Sequence, residues 1–189
     1  SCALYSYELL LFPSVIPTLI TKKKQPMIAP AIVHRTMCGD KVIDDYKAPV
    51  PHTIVNGCKL GYGILVEVDI NIDINLNDLS TVSVNLKPLI DKCEENPGSW
   101  ILIDTGRHGI TFSVLEDICK IAHEHNCYVC ADCTNLKETY LGLEKSPRLP
   151  ADVVLIGLAT GFGGVGGAVL STTEIIDRQR LGGKGYVFS

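Results

Sequence analysis

Three short apolar runs in the second half of the chain constrain its fold more than any other feature. They occupy residues 99–104 (SWILID), 127–132 (CYVCAD) and 152–157 (DVVLIG). Each run has the length of a strand, and none alternates apolar with polar residues, which indicates burial on both faces. Between the first two runs, residues 113–126 place apolar side chains at helical spacing. This order of elements predicts an α/β fold with a mainly parallel sheet covered by helices on both faces.

Capping and turn residues predict where two helices begin. Ser113 and Glu116 fit a capping box at the start of the helix over residues 113–126. A second helix is predicted over residues 86–95, where Pro88 suits the first turn.

The remaining segments differ in how much their pattern predicts. Residues 65–72 (LVEVDINI) alternate at period two and predict a strand. Residues 166–171 (GGAVLS) predict a further short strand, after which Thr172 or Thr173 can cap a helix. Residues 21–64 contain four prolines and several glycines with little periodicity. They predict no particular element.

Composition and charge favour one globular domain. The chain has 189 residues, 46% of them hydrophobic, and a mean hydropathy of +0.22, so it can bury a sizeable core. The net charge is −4 and the longest basic run is three lysines at residues 22–24, which gives no ground for a nucleic-acid partner. Residues 2–20 are apolar, but Glu8, Pro13 and Pro17 interrupt them. We therefore expect a buried element there rather than a membrane span.

The chain has eight cysteines, and three of them form a CxxCxxC motif at Cys127, Cys130 and Cys133. This spacing is similar to part of an iron–sulfur motif. However, the motif begins in a predicted strand, where side chains alternate between the two faces, so Cys127 and Cys130 are expected to point in opposite directions. Because no secretory signal precedes them, the cysteines are interpreted as reduced thiols, and we predict no metal site.

Six glycines crowd into residues 157–167, and Gly161, Gly163 and Gly166 match the GxGxxG pattern. A dinucleotide-binding loop requires a helix directly after the glycines, whereas here a strand follows, and an acidic residue is missing at the usual spacing. The alternative is a tight turn between two strands, in which glycine allows positive φ and close backbone approach.

The sequence resembles a known enzyme family in three segments. These are residues 3–24 (ALYSYELLLFPSVIPTLITKKK), 115–132 (LEDICKIAHEHNCYVCAD) and 175–189 (IIDRQRLGGKGYVFS). They are similar to the α-oxoamine synthases, of the aminotransferase class I/II group of fold type I pyridoxal-phosphate enzymes, and within them to the subunit 1 branch of serine palmitoyltransferase. The resemblance implies a three-layer large domain over residues 1–189. Because relatives extend beyond both ends, we expect this chain to be an internal part of a longer one.

The resemblance also implies where the cofactor lysine should lie. Pyridoxal-phosphate enzymes need a lysine amine that bonds to the cofactor. Counting back from the double glycine at residues 166–167, the family's spacing places that lysine at Thr160, which has no amine. The same count places Gly157 and Ala159 where catalytic relatives carry hydroxyl groups near the phosphate. We therefore expect no catalytic residue and no covalently bound cofactor in this chain.

Three further residues fall at cofactor-binding positions of the family. Asp132 matches the aspartate that keeps the pyridine nitrogen protonated. Asn135 falls where catalytic relatives have a histidine, and His52 lies near the position of the residue that stacks on the ring. Together they are expected to be the remains of a cofactor pocket.

The function implied by the resemblance is that of a non-catalytic subunit of serine palmitoyltransferase. Such a subunit pairs with the lysine-bearing subunit 2, which holds pyridoxal phosphate and condenses L-serine with a long-chain acyl-CoA to 3-ketodihydrosphingosine. The resemblance further implies the cytosolic face of the endoplasmic reticulum membrane, with membrane contact through segments outside this chain. A catalytically active fold type I transferase and a degenerate scaffold protein are the alternatives.

Overall fold

The computed structural model describes residues 1–6, 11–77, 82–106, 110–134, 150–159 and 163–183. Five helices lie in this part of the chain: α1 (Leu11–Leu19), α2 (His52–Leu60), α3 (Lys87–Glu95), α4 (Phe112–Glu124) and α5 (Thr173–Gly182). The same residues form nine strands: β1 (Cys2–Tyr5), β2 (Pro26–Cys38), β3 (Lys41–Ala48), β4 (Ile64–Asn75), β5 (Val82–Asn85), β6 (Trp100–Asp104), β7 (Tyr128–Asp132), β8 (Val153–Gly157) and β9 (Gly167–Leu170).

The nine strands form one mostly parallel sheet in the order β1-β9-β8-β7-β6-β2-β4-β5, with β3 paired to β2. The strands from β8 to β4 in this order are parallel to one another, and the outer pairings are antiparallel. One apolar core joins the sheet to α3 and α4, and a second joins its other face to α1, α2 and α5. The predicted three-layer α/β architecture is confirmed.

The elements predicted from the apolar runs are all present. Residues 99–104, 127–132 and 152–157 form β6, β7 and β8, and every residue of β6 and β8 is buried. Continuous apolar runs are what a strand between two helical layers requires, because both of its faces are covered. The predicted helices correspond to α3 and α4, and the alternating segment lies within β4.

The predicted capping box of α4 is wrong by two residues. The helix begins at Phe112, so Thr111 is the N-cap, and its Oγ1 accepts a hydrogen bond of 3.5 Å from the Val114 N–H. Ser113 therefore lies inside the first turn rather than at the cap. At α5 the prediction is confirmed, since Thr172 is the N-cap and accepts from the Ile175 N–H.

Residues 2–20, expected to be a buried element, contain β1 and α1. Phe12, Val15 and Ile16 of α1 are almost completely buried in the core against the sheet. Among the described helices, none combines the length and apolar character needed to cross a membrane.

Residues 21–64, which predicted no element, contain β2, β3 and α2. The start of β2 pairs with β6 through Met27 and Ile28, whereas its second half pairs with β3 from Ile32 onward. Pro30 lies in the interval between these two partners. On the side facing β6 and β3, Pro30 therefore has no paired residue, whereas on the other side it pairs with Val68 of β4.

β8 and β9 pair antiparallel, and the described part of the segment between them shows the positive φ and the close backbone approach that the second interpretation predicted. Gly166 has φ +98°, and a Cβ at this position would lie 2.2 Å from the carbonyl oxygen of Tyr5. A Cβ at Gly167 would lie 2.6 Å from Cδ1 of Leu11. The close approach is therefore made to β1 and α1 of the same chain. Gly161 falls outside the described residues.

We predict that Gly166→Ala destabilises the fold far more than Gly163→Ala. Both glycines have positive φ, but a Cβ at Gly163 would meet nothing within 4 Å. Gly163→Ala should lower the free energy of unfolding by about 1–2 kcal/mol, the cost of the left-handed backbone alone. Gly166→Ala adds a clash with backbone and should cost about 3–5 kcal/mol. Urea denaturation measures both values, and equal losses would contradict the packing of this turn against β1.

Candidate functional site

Two carboxylates lie side by side where β6 and β7 end. Asp104 is the last residue of β6 and pairs in the parallel ladder with Asp132, the last residue of β7. Paired residues of parallel strands point to the same face. Leu102 and Cys130, two residues earlier, belong to the core shared with α1 and α2, so both acids face that layer. Asp104 is buried and Asp132 is half-buried.

Backbone hydrogen bonds hold this edge of the sheet in place. The fully buried Thr105 donates twice to the carbonyl oxygen of Asp132, from its backbone N–H at 3.0 Å and from its Oγ1 at 2.7 Å. One carboxylate oxygen of Asp132 accepts a 2.9 Å hydrogen bond from the Thr134 N–H. This is an Asx-type turn, which fixes the direction of the side chain. Asp132 is therefore held at two points: Thr105 binds its carbonyl oxygen, and the Thr134 N–H binds its carboxylate.

Cys133 follows Asp132 in the chain, and its thiol is buried in the core on the opposite face of the sheet. Burial raises its pKa to about 12, helped by the negative charges of Asp132 and Asp104 and opposed by a hydrogen bond with the Thr105 hydroxyl. A thiol with such a pKa stays protonated at neutral pH. Its backbone N–H donates to the carbonyl oxygen of Leu155, which joins the end of β7 to β8.

The three cysteines of the CxxCxxC motif do not converge. Cys127 and Cys133 lie in the core between the sheet and the α3/α4 layer, whereas Cys130 lies in the core on the opposite face. The prediction that Cys127 and Cys130 point to opposite faces is confirmed. The strand itself separates the sulfur atoms, so the motif cannot enclose one metal ion.

His52 is the first residue of α2 and is exposed, directly after the N-cap residue Pro51. The buried residues Ile54 and Cys58 of α2 belong to the same core as Cys130. His52 thus stands at the end of a helix on the face of the sheet toward which Asp132 points. Its role as a ring-stacking residue stays a prediction.

The position at which the resemblance leads us to expect the cofactor lysine, residue 160, follows the end of β8 in the sequence. Gly157 ends the strand and is buried, Leu158 is half-buried, and Ala159 is exposed. The Leu158 N–H donates to the carbonyl oxygen of Gly166, which ties the strand end to the glycine turn. Thr160 and Asn135 lie outside the described residues, and their roles also stay predictions.

The donor set at this edge does not fit covalently held pyridoxal phosphate. Asp132 supplies the carboxylate that a pyridine nitrogen requires. The cofactor also needs a lysine amine and donors for its phosphate. The described residues at the end of β8 and directly after it, 157–159, have neither an amine nor a side-chain hydroxyl. The described part of this edge is therefore acidic and firmly held, and its residues 157–159 include no amine that could attach the cofactor.

Sequence reasoning missed Asp104, Thr105 and Thr134 at this site. The signal for Asp104 was present, because the run SWILID ends in an acid in the same way as CYVCAD. The hydrogen bonds of Thr105 and Thr134 depend on the register between β6 and β7, which a single sequence does not specify.

A separate cleft of about 400 Å³ lies at the opposite end of the same strands. Trp100 and Tyr128, which begin β6 and β7, line it together with Thr172, the N-cap of α5, and Arg178 from the second half of that helix. The two rings are 5.1 Å apart. Ligands of open α/β sheets bind at the carboxyl ends of the strands, so we place the candidate site at Asp104 and Asp132.

Comparison with known proteins identifies similar folds and no sequence family. No protein-family model matches the chain, and a search of curated proteins finds no match. Among solved structures, a serine palmitoyltransferase from S. paucimobilis with a bound PLP–myriocin adduct has a TM-score of 0.64 at 18% identity, covering 100% of this chain and 44% of that one. Serine palmitoyltransferase of Sphingomonas wittichii has a TM-score of 0.61 at 16% identity, with coverage of 100% and 42%.

A third similar structure is an enzyme with another activity. The PLP-bound C-S lyase of Staphylococcus hominis has a TM-score of 0.61 at 9% identity, covering 95% of this chain and 43% of that chain. At these low identities the TM-scores show a shared fold alone, that of the PLP-dependent transferases, and the chain spans less than half the length of each structure.

Proposed function

We propose that this chain is a non-catalytic subunit of serine palmitoyltransferase, of the subunit 1 type. The observation that carries the proposal is the composition of the strand edge. Asp132 stands at the end of β7, whereas β8 ends at Gly157 and is followed by Leu158, Ala159 and Thr160. A pocket of this fold with the acid and without the amine can support the shape of a site, but it cannot bond to the cofactor.

The proposed partner is a lysine-bearing chain of the same fold, serine palmitoyltransferase subunit 2. In this proposal the partner holds pyridoxal phosphate and condenses L-serine with a long-chain acyl-CoA to 3-ketodihydrosphingosine. This chain contributes a rigid edge, held by the hydrogen bonds of Thr105 and Thr134 to Asp132, against which the partner's site is built. The proposed location is the cytosolic face of the endoplasmic reticulum membrane. We also propose that residues 1–189 form a single large domain.

We predict that the purified chain does not bond covalently to pyridoxal phosphate. The chain is incubated with the cofactor and reduced with borohydride, and the adducts are located by peptide mass spectrometry. No lysine of the folded chain should carry more adduct than the same lysine in a sample unfolded in urea. The matched variant Thr160→Lys supplies an amine at the position of the family's lysine. An adduct on Lys137 or Lys184 of the unmodified chain, formed at one cofactor per chain, would contradict the proposal and favour an active transferase.

We further predict that Asp132→Asn hardly changes the turnover of the complex of this chain with its partner. The amide oxygen of asparagine still accepts from the Thr134 N–H, so the turn is kept while the charge is lost. If the chain only supports the partner, kcat should fall by less than about threefold, as for the neighbouring control Asp104→Asn. If Asp132 instead acts on a bound cofactor, removal of this charge should lower kcat by about 100-fold or more.

A further inference from the structure

The cleft at the amino ends of β6 and β7 has an aromatic floor that the proposed function does not use. Trp100 and Tyr128, the first residues of these strands, pair in the parallel ladder, and their ring planes are inclined at 33°. Trp100 is 7% exposed, whereas Tyr128 is 47% exposed. The ring of Tyr128 therefore leaves room for a flat ligand to stack on it.

The indole N–H of Trp100 is a hydrogen-bond donor without an acceptor. No described residue accepts from it, although more than nine-tenths of this residue is buried. Among the described side chains, only Ser99 Oγ is both completely buried and without a partner, so the indole nitrogen reaches the surface. The surface that Trp100 lines is the cleft. Because the N–H of a buried tryptophan usually has a partner, this donor points to a ligand atom in the cleft.

The carboxylate of Asp152 supplies an open acceptor in the same cleft. Asp152 directly precedes β8, and its Oδ2 accepts from the Val129 N–H at 2.8 Å and lies 3.0 Å from Nε2 of His123. These contacts fix the direction of the carboxylate. Its other oxygen, Oδ1, accepts from no described residue and is not completely buried. Since Asp152 lines the cleft, Oδ1 can accept from a ligand there.

The spacing of these groups sets the size of the ligand. Trp100, Tyr128 and Asp152 lie at the starts of three neighbouring strands, β6, β7 and β8. Neighbouring strands are about 4.8 Å apart, so the donor and the acceptor belong to strands separated by about 10 Å. Two fused rings with a hydrogen bond at each end match this distance. The ligand therefore needs an acceptor on one edge, a donor on the opposite edge and a flat face between them.

We propose that this cleft binds the amino-substituted purine base of a nucleoside or nucleotide. The base stacks on the ring of Tyr128, its amino group donates to Oδ1 of Asp152, and a ring nitrogen on the opposite edge accepts from the Trp100 N–H. The cleft lies at the other end of the strands from Asp104 and Asp132, so this site is independent of the function proposed for the carboxyl edge.

Trp100 is the only tryptophan of the chain, so tryptophan fluorescence reports on this cleft alone. The full chain is titrated with adenosine, with excitation at a wavelength that the base does not absorb. We expect a saturable fall in emission with a Kd of about 0.1–1 mM. The matched variants Tyr128→Ala and Tyr46→Ala remove exposed tyrosine rings inside and outside the cleft. Tyr128→Ala should weaken binding about tenfold, whereas Tyr46→Ala should leave the Kd unchanged.

A reversal of base preference tests the polar contacts. In Asp152→Asn the amide oxygen still accepts from the Val129 N–H, which turns the amide NH₂ group toward the cleft. Inosine carries a carbonyl oxygen in place of the amino group of adenosine. The variant should therefore bind inosine about tenfold more tightly than adenosine, the reverse of the order for the unmodified chain. Unchanged emission at millimolar adenosine, an unchanged Kd in Tyr128→Ala, or equal weakening of both nucleosides by Asp152→Asn would overturn the proposal.

Discussion

The parallel register between β6 and β7 is the constraint on which the carboxyl edge of this sheet depends. It places Asp104 beside Asp132 and brings Thr105 to the Asp132 carbonyl oxygen, where two hydrogen bonds close the strand ends. A shift of one residue would turn one of the two acids toward the α3/α4 core and break both bonds. Burial fixes this register, because alternate residues of β6 must face the two apolar cores on opposite sides of the sheet.

The glycine turn completes the same edge from the other side. Its close contacts, at Gly166 with Tyr5 and at Gly167 with Leu11, are made within the chain and serve the pairing of β9 with β1. These two glycines are therefore accounted for by packing alone, without a bound ligand. In the proposed complex, the acids at the ends of β6 and β7 and the turn would support a site whose reactive amine belongs to the partner. In this proposal, the framework keeps the shape of a cofactor pocket without the amine that would bond to the cofactor.

Much of the fold could be predicted from the sequence where burial alone determines the pattern. The runs that became β6, β7 and β8 are apolar throughout because helices cover both of their faces. Residues 21–64 gave no such signal, since Pro30 argues against a strand although it lies within β2, at the point where the partner on one side changes from β6 to β3. At the candidate site, Asp132 could be found as an acid ending a strand. The supporting bonds of Thr105 and Thr134 follow from register and loop geometry, which one sequence does not contain.

The count of cofactor molecules in the native complex tests the central claim most directly. The complex is purified from its natural source through a tag on this chain, its subunits are identified, and pyridoxal phosphate is released with alkali and quantified against the amount of each chain. If this chain supplies Asp132 but no cofactor lysine, the complex should contain a lysine-bearing partner of the same fold and one pyridoxal phosphate for each pair of chains. Two cofactors for each pair, or recovery of this chain without such a partner, would contradict the account.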